Sequence, residues 1–153
     1  MTGNYGTFDI HHATVMDVAY LSTRLRKEDA QEVPQGYSVY DAIFEGYKSG
    51  QSFTIYKDAR PIGIFGATPM SDYSYIWLVG TSEMFGIRRE MVRYGKYIAN
   101  KLIGKYDFGA NYIWVENHSS IRWLQHMGAE FEDSVDLDNK KFLPFKLYKC
   151  AQS

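Results

Sequence analysis

A single cysteine, four prolines and four histidines in 153 residues withhold the raw material of several kinds of chemistry. Cys150 stands alone, so no intrachain disulfide forms, which suits a reducing compartment or a virion assembled in one. His118 and His126 lie eight residues apart, without the i, i+4 spacing and carboxylate partner of a metal-binding helix. His11 and His12 are adjacent and project to opposite faces of any strand, so no metal site is expected. Neither a Ser-His-Asp pattern nor a P-loop occurs. No apolar run approaches the roughly 20 residues that span a bilayer, and Met1 to Thr7 lacks the basic-then-apolar order of a signal peptide. The expectation is a soluble, intracellularly made protein. A formal net charge of −1 gives no global field toward membrane or nucleic acid, and nucleic acid is not an expected partner.

What is present suits one folded unit. The chain is 45% hydrophobic, 16% aromatic and 23% charged, an ordinary globular mix, although thirteen tyrosines is high. A domain of this length buries roughly 70% of the surface its unfolded chain exposes, so no disulfide or metal is needed. Repeats, low-complexity tracts and Pro/Gly/Ser linkers are absent. A flexible tail over residues 1–7 and a single domain over 8–153 are expected.

Periodicity gives the order of elements. Phe8 to Ala13 alternates as a strand, with Phe8, Ile10 and then His12 on one face. Thr14 and Asp17 form a capping-box pattern before a helix with Val18, Leu21 and Leu25 as its stripe. That helix should fade over Arg26 to Val33, ahead of Pro34 and Gly36. Ser38 and Asp41 repeat the cap for a second helix, which stops near Gly50. Ser52–Tyr56 and Pro61–Thr68 read as a hairpin about a turn at Lys57 to Arg60, and Tyr75–Val79 as a central strand. Ile87, Met91, Tyr94, Ile98 and Leu102 mark the longest helix, ending near Gly104. Asn111–Val115 is a strand, and Asn117 a plausible N-cap of a short helix that stops at Gly128. Phe131–Val135 and Phe142–Tyr148, joined through Asp136 to Lys140, close the chain. The result is an α/β (α+β) fold with about seven strands in a mixed, mostly antiparallel sheet and four helices.

The segment Asn111–Phe131, NYIWVENHSSIRWLQHMGAEF, resembles the strand–Asn–helix–Gly unit of the GNAT (acyl-CoA N-acyltransferase) superfamily. Asn117 matches its asparagine, Ser120 its small residue and Gly128 its glycine. A closer resemblance is to the GNAT-like proteins of short-tailed phages, also described as small internal virion protein A. Leu25–Val33 (LRKEDAQEV), Ile76–Thr81 (IWLVGT) and Asn111–Phe131 carry it. The resemblance implies a sheet splayed at its fourth and fifth strands into an acyl-CoA cleft. It implies cofactor contacts from Leu78, Val79, Gly80, Thr81, Asn117 and Ser120, with a strand N–H polarising the thioester carbonyl. Asp29 or Glu32 would act as the base for an acceptor amine.

Two departures stand beside these matches. The glycine-rich pyrophosphate loop of GNAT enzymes, which presents free amides at a helix N-terminus, is here Glu83–Met84–Phe85–Gly86–Ile87–Arg88–Arg89. One glycine remains, so phosphate would be held beside Gly86 by the side-chain charge of Arg88 and Arg89. The tyrosine that commonly protonates the leaving thiolate stands seven residues after the asparagine; here that residue is Leu124, which carries no proton to give. Each candidate also has a structural role: Asn117 as a helix cap, Leu78–Thr81 as a buried strand, Arg26 with Asp29 as a surface ion pair one turn apart. The helix from Ile87 to Tyr106 carries six cations against Glu90, which suits a solvated face. The expected function is a phage accessory protein on a GNAT scaffold with degraded catalysis, in the virion interior or host cytoplasm, partnered by a virion or host protein. The alternative is an acetyl-CoA-dependent N-acetyltransferase acting on an amine of a protein or small molecule.

Overall fold

The computed structural model of the chain describes residues 1–150; the last three residues of the expected domain lie outside the described residues. Among the described residues nine strands form one sheet: β1 (Gly3–Asn4), β2 (Asp9–His12), β3 (Gln51–Lys57), β4 (Arg60–Pro69), β5 (Ser74–Gly80), β6 (Phe108–Trp114), β7 (Glu130–Phe131), β8 (Val135–Leu137) and β9 (Lys140–Tyr148). Their order is β1-β2-β3-β4-β5-β6-β9-β7, with β8 also on β9. All neighbours are antiparallel except β5 and β6. The β3–β4 and β8–β9 hairpins turn through Asp58–Ala59 and Asp138–Asn139, each residue at positive φ, as the twist of a two-residue hairpin loop requires.

The helices α1 (Val15–Ser22), α2 (Lys27–Gln31), α3 (Val39–Lys48), α4 (Arg88–Ile103) and α5 (His118–His126) divide between the two faces. Val18, Leu21 and Ile43 of α1 and α3 pack on Ile64. Met91, Ile98 and Leu102 of α4, with Leu124 of α5 and Met127 just beyond it, pack on Phe53, Phe65 and Phe145. Adjacent residues Ile64 and Phe65 thus serve opposite layers, as the alternation of a central strand demands. The α1 capping box forms: Thr14 Oγ1 accepts from Asp17 N at 3.2 Å, and Asp17 accepts from Thr14 N at 3.0 Å. Ser38 caps α3 by accepting from Asp41 N at 3.0 Å. Gly104, at φ 62°, ends α4.

Strands and helices exceed the expected counts for local reasons. The final hairpin is split into β7 and β8. α2 is a separate helix where α1 was expected to fade. Residues 1–7, expected to be loose, include β1, and the Tyr5 and Phe8 rings stack at 5.6 Å. His12 is exposed while Phe8 and Ile10 are buried.

The feature that shapes the site is the parallel seam. β5 and β6 register only at Ser74↔Gly109 and Tyr75↔Ala110 and then part. The Asn111 side chain spans the opening gap, its Nδ2 donating to Ile76 O at 2.8 Å. The splay expected between these strands is present.

Candidate functional site

Once β6 diverges, one edge of β5 is left without a ladder. Ile76 O points to that edge, and so do both main-chain groups of Gly80. Leu78, two residues from each, directs its N–H and C=O the same way, beyond the point where the β5–β6 pairing stops. At the Gly80 end, α2 and the residue before it take the edge. Gly80 N donates to Asp29 Oδ2 at 2.9 Å, and Arg26 N donates to Gly80 O at 2.8 Å.

Arg26 and Asp29 belong to a larger polar network. The Arg26 guanidinium donates to Asp29 Oδ1 at 2.8 Å, Asn117 Oδ1 at 3.0 Å, Ser119 Oγ at 2.8 Å and Ser120 Oγ at 3.1 Å. Asn117 Nδ2 donates to Asp29 Oδ1 and to Glu32 Oε1, both at 3.1 Å. Glu32 Oε2 accepts from Trp114 N at 3.1 Å. The side chains of Arg26 and Asp29 are only 8% and 6% exposed, so the pair lies in the interior, not on the surface turn that its local spacing suggested. Buried ions persist where their hydrogen-bonding capacity is met, and this network ties α2, the end of β5 and the start of α5 together. Burial pushes the Glu32 carboxyl up to about 7, and the Asp29 charge adds to it. The donors Trp114 and Asn117 and the Arg26 charge act against that rise.

The network lies between two openings of unlike charge. On the α1–α3 side is a cavity of about 720 Å³ whose lining includes Glu32, Glu45 and Asp138 and no lysine, arginine or histidine. Tyr37, Tyr75 and Tyr112 stand exposed at its rim. On the other side a groove of about 500 Å³ runs between the start of α4 and α5, lined by Arg88, Arg122 and His126 with Phe85. Asp29, Leu78, Ser120 and Trp123 border both.

The sequence-expected residues fall unevenly around this cleft. Asp29, Glu32, Asn117, Ser120, Leu78 and Gly80 come together at its floor. Val79 and Thr81 turn their main chains to β4 instead: Val79 registers with Ile64, and Thr81 N donates to Ile62 O at 2.8 Å. Arg88 lines the cationic groove, whereas Gly86 and Arg89 are exposed outside both openings. Asn117 does not act as the expected cap, since its side chain makes no cap hydrogen bond to α5 and is spent on Asp29 and Glu32. Leu124 is buried in the core.

The start of α4 also differs from a phosphate cradle. A 3-10 helix, Ser82–Ile87, runs directly into it. Glu83 N donates to Thr81 Oγ1, Met84 N to Thr81 O and Arg88 N to Phe85 O, so these amides are already engaged. Ser119 is the network member that residue patterns missed, and Arg26 was expected only as half of a surface ion pair. The signal for them was the resemblance itself, because its three separated stretches, 25–33, 76–81 and 111–131, are the ones that meet here.

Comparison with known proteins agrees with this architecture. Ard1 from Thermoplasma volcanium is 12% identical and superposes with a TM-score of 0.71, covering 95% of this chain and 100% of that one. The ribosomal-protein-S5-alanine acetyltransferase of Vibrio fischeri is 12% identical, with a TM-score of 0.67 and 97% of each chain covered. AAC(6')-Ib in complex with ribostamycin and coenzyme A is 13% identical, with a TM-score of 0.66 and 94% of each chain covered. At such identities the likeness is one of fold, and the fold is that of the GNAT acetyltransferases. A sequence search of curated proteins found no match. Residues 54–135 match the model of the family described as "Bacteriophage T7, probable scaffold protein Gp13", and because that stretch is more than half of the chain, the protein belongs to this phage family.

Proposed function

We propose that this chain is a phage accessory protein that uses a GNAT scaffold to bind a virion or host protein, in the virion interior or the host cytoplasm, with acyltransfer chemistry lost. One observation carries the reading: the free edge of β5 is filled at Gly80 by the chain's own Arg26 and Asp29. Acetyl-CoA, which the fold implies, does not fit the residues as they stand. The edge it would pair with is taken at Gly80 and open only at Leu78, the amides that would meet its phosphates are spent inside the 3-10 helix, and Leu124 offers no proton to a leaving thiolate. The description of the family as a probable scaffold protein supports a structural role.

The expected result of a thermal-shift titration is no change in Tm at millimolar acetyl-CoA, with free CoA and ADP as controls. A saturable rise of roughly 5–10 °C specific to acetyl-CoA, the response to about 2.7 kcal/mol of binding, would overturn the reading.

A second reading, an N-acetyltransferase acting on an amine, is favoured by Glu32. A carboxyl pushed up to about 7, at a cavity lined by carboxylates and free of cations, is placed to receive an ammonium group and its proton. The same titration decides between the two.

A further inference from the structure

The chain has no net positive field, but one of its faces does. Arg88, Arg89, Arg93, Lys96 and Lys101 of α4 and Arg122 of α5 are all exposed, and none forms an ion pair among the described residues. The one carboxylate of α4, Glu90, is half-buried and accepts from the Thr7 hydroxyl at 3.1 Å. Arg89, Arg93 and Lys96 recur at spacings of four and three, forming one ridge opposite the buried residues Met91, Ile98 and Leu102.

The buried side of the same helix is held against α5. Trp123 Nε1 donates to Met91 O at 3.2 Å, and Gly95 leaves room for close approach: a Cβ there would stand 2.7 Å from Met127 Sδ and 3.3 Å from Trp123 Cζ2. Between the helices runs the groove with Arg88, Arg122 and His126, and Ser119 at its wall. Two large rings stand in water beside these cations: Phe85, 47% exposed, borders the groove, and Tyr97, 45% exposed, flanks the ridge. Among the described residues, none of the carboxylates of the 130–138 segment forms an ion pair with these cations, and Asp136 pairs with Lys141 at 3.2 Å. Asp138 accepts from Gln35 N at 3.0 Å and borders the acidic cavity on the other side of the sheet.

We propose that the α4 ridge and the α4–α5 groove bind single-stranded nucleic acid. A row of unpaired cations matches a phosphodiester backbone. Exposed rings next to that row match unstacked bases, which a duplex does not present. The cations alone would also suit an acidic protein; rings exposed on both flanks of the cationic ridge add the stacking surface that unpaired bases use, and polyglutamate serves as the control for charge alone.

The test is fluorescence polarisation of a labelled 20-residue oligothymidylate with the full chain. Saturable binding at 50 mM salt is expected, weakening roughly 10- to 100-fold by 200 mM. Arg89→Glu with Arg93→Glu should weaken it at least about tenfold. Phe85→Ala with Tyr97→Ala should weaken it roughly fivefold or more without changing the salt slope. Lys48→Glu, whose lysine pairs with Glu45 on α3, should leave it unchanged. No saturable binding at 50 mM, tighter binding of a duplex of equal length, or equal binding of polyglutamate would each overturn the proposal. Displacement by equimolar acetyl-CoA would overturn it too and would fall together with a melting shift, whereas failure of oligonucleotide binding alone leaves the proposed function standing.

Discussion

Arg26→Ala will lower the free energy of unfolding by about 3–5 kcal/mol, the range for removing one member of a buried ion pair. The loss does not come from deleting favourable contacts one by one. It comes from what stays behind: the Asp29 carboxylate, 6% exposed, would keep the Gly80 and Asn117 donors but lose its counter-charge. Ser119, Ser120 and the Asn117 carbonyl would lose their common donor as well. A second variant separates charge from packing. Asp29→Asn on the Arg26→Ala background removes the stranded charge while an amide oxygen still accepts from Gly80 N, and it should recover about 2 kcal/mol. Urea unfolding of the three proteins measures both steps. A loss under about 1 kcal/mol for Arg26→Ala, or no recovery in the double variant, would show that the pair is solvated and that the clamp at Gly80 is not held by charge.

That network also marks where sequence reasoning reached its limit. The caps of α1 and α3, the two hairpin turns, the long apolar stripe of α4 and the glycine that ends it are local facts, written within a few residues of one another. They were legible, and with them the order of elements; the splay of β5 from β6 was expected only through the family resemblance. Arg26 and Asp29 were legible only as neighbours three residues apart, which on an isolated helix means a surface pair. Their burial comes from Asn117, Ser119 and Ser120, about ninety residues away, and no local pattern encodes such a meeting. Asn117 misled for the same reason. An asparagine before a helix is a good cap in isolation, but two carboxyls, one from α2 and one from the residue after it, compete for its amide and win. The 3-10 helix before α4 was hidden too, because one surviving glycine says which loop is missing and nothing about what replaces it.

Glu32→Gln will change the pH dependence of stability more than stability at any single pH. Burial pushes the Glu32 carboxyl from 4.5 up to about 7, so the folded chain holds this proton more tightly than the unfolded chain does. The stabilisation from that proton is complete below about pH 4.5 and is lost as pH rises through about 7. The span corresponds to roughly 3 kcal/mol. Glutamine carries no such proton. Glu32→Gln should therefore lack this part of the decline between pH 4.5 and pH 8, and the difference in unfolding free energy between the two proteins should move by roughly 3 kcal/mol in the variant's favour across that range. The amide has one acceptor oxygen where the carboxylate offers two to Trp114 N–H and Asn117 Nδ2, and that cost offsets the variant by a constant and leaves the slope alone. Urea unfolding at pH 4.5, 6 and 8 reads the difference directly. Parallel profiles would mean that Glu32 is ionised throughout, its two donors and Arg26 outweighing its burial, and the carboxyl would then be a fixed anchor for Asn117, with no role as a base near neutral pH.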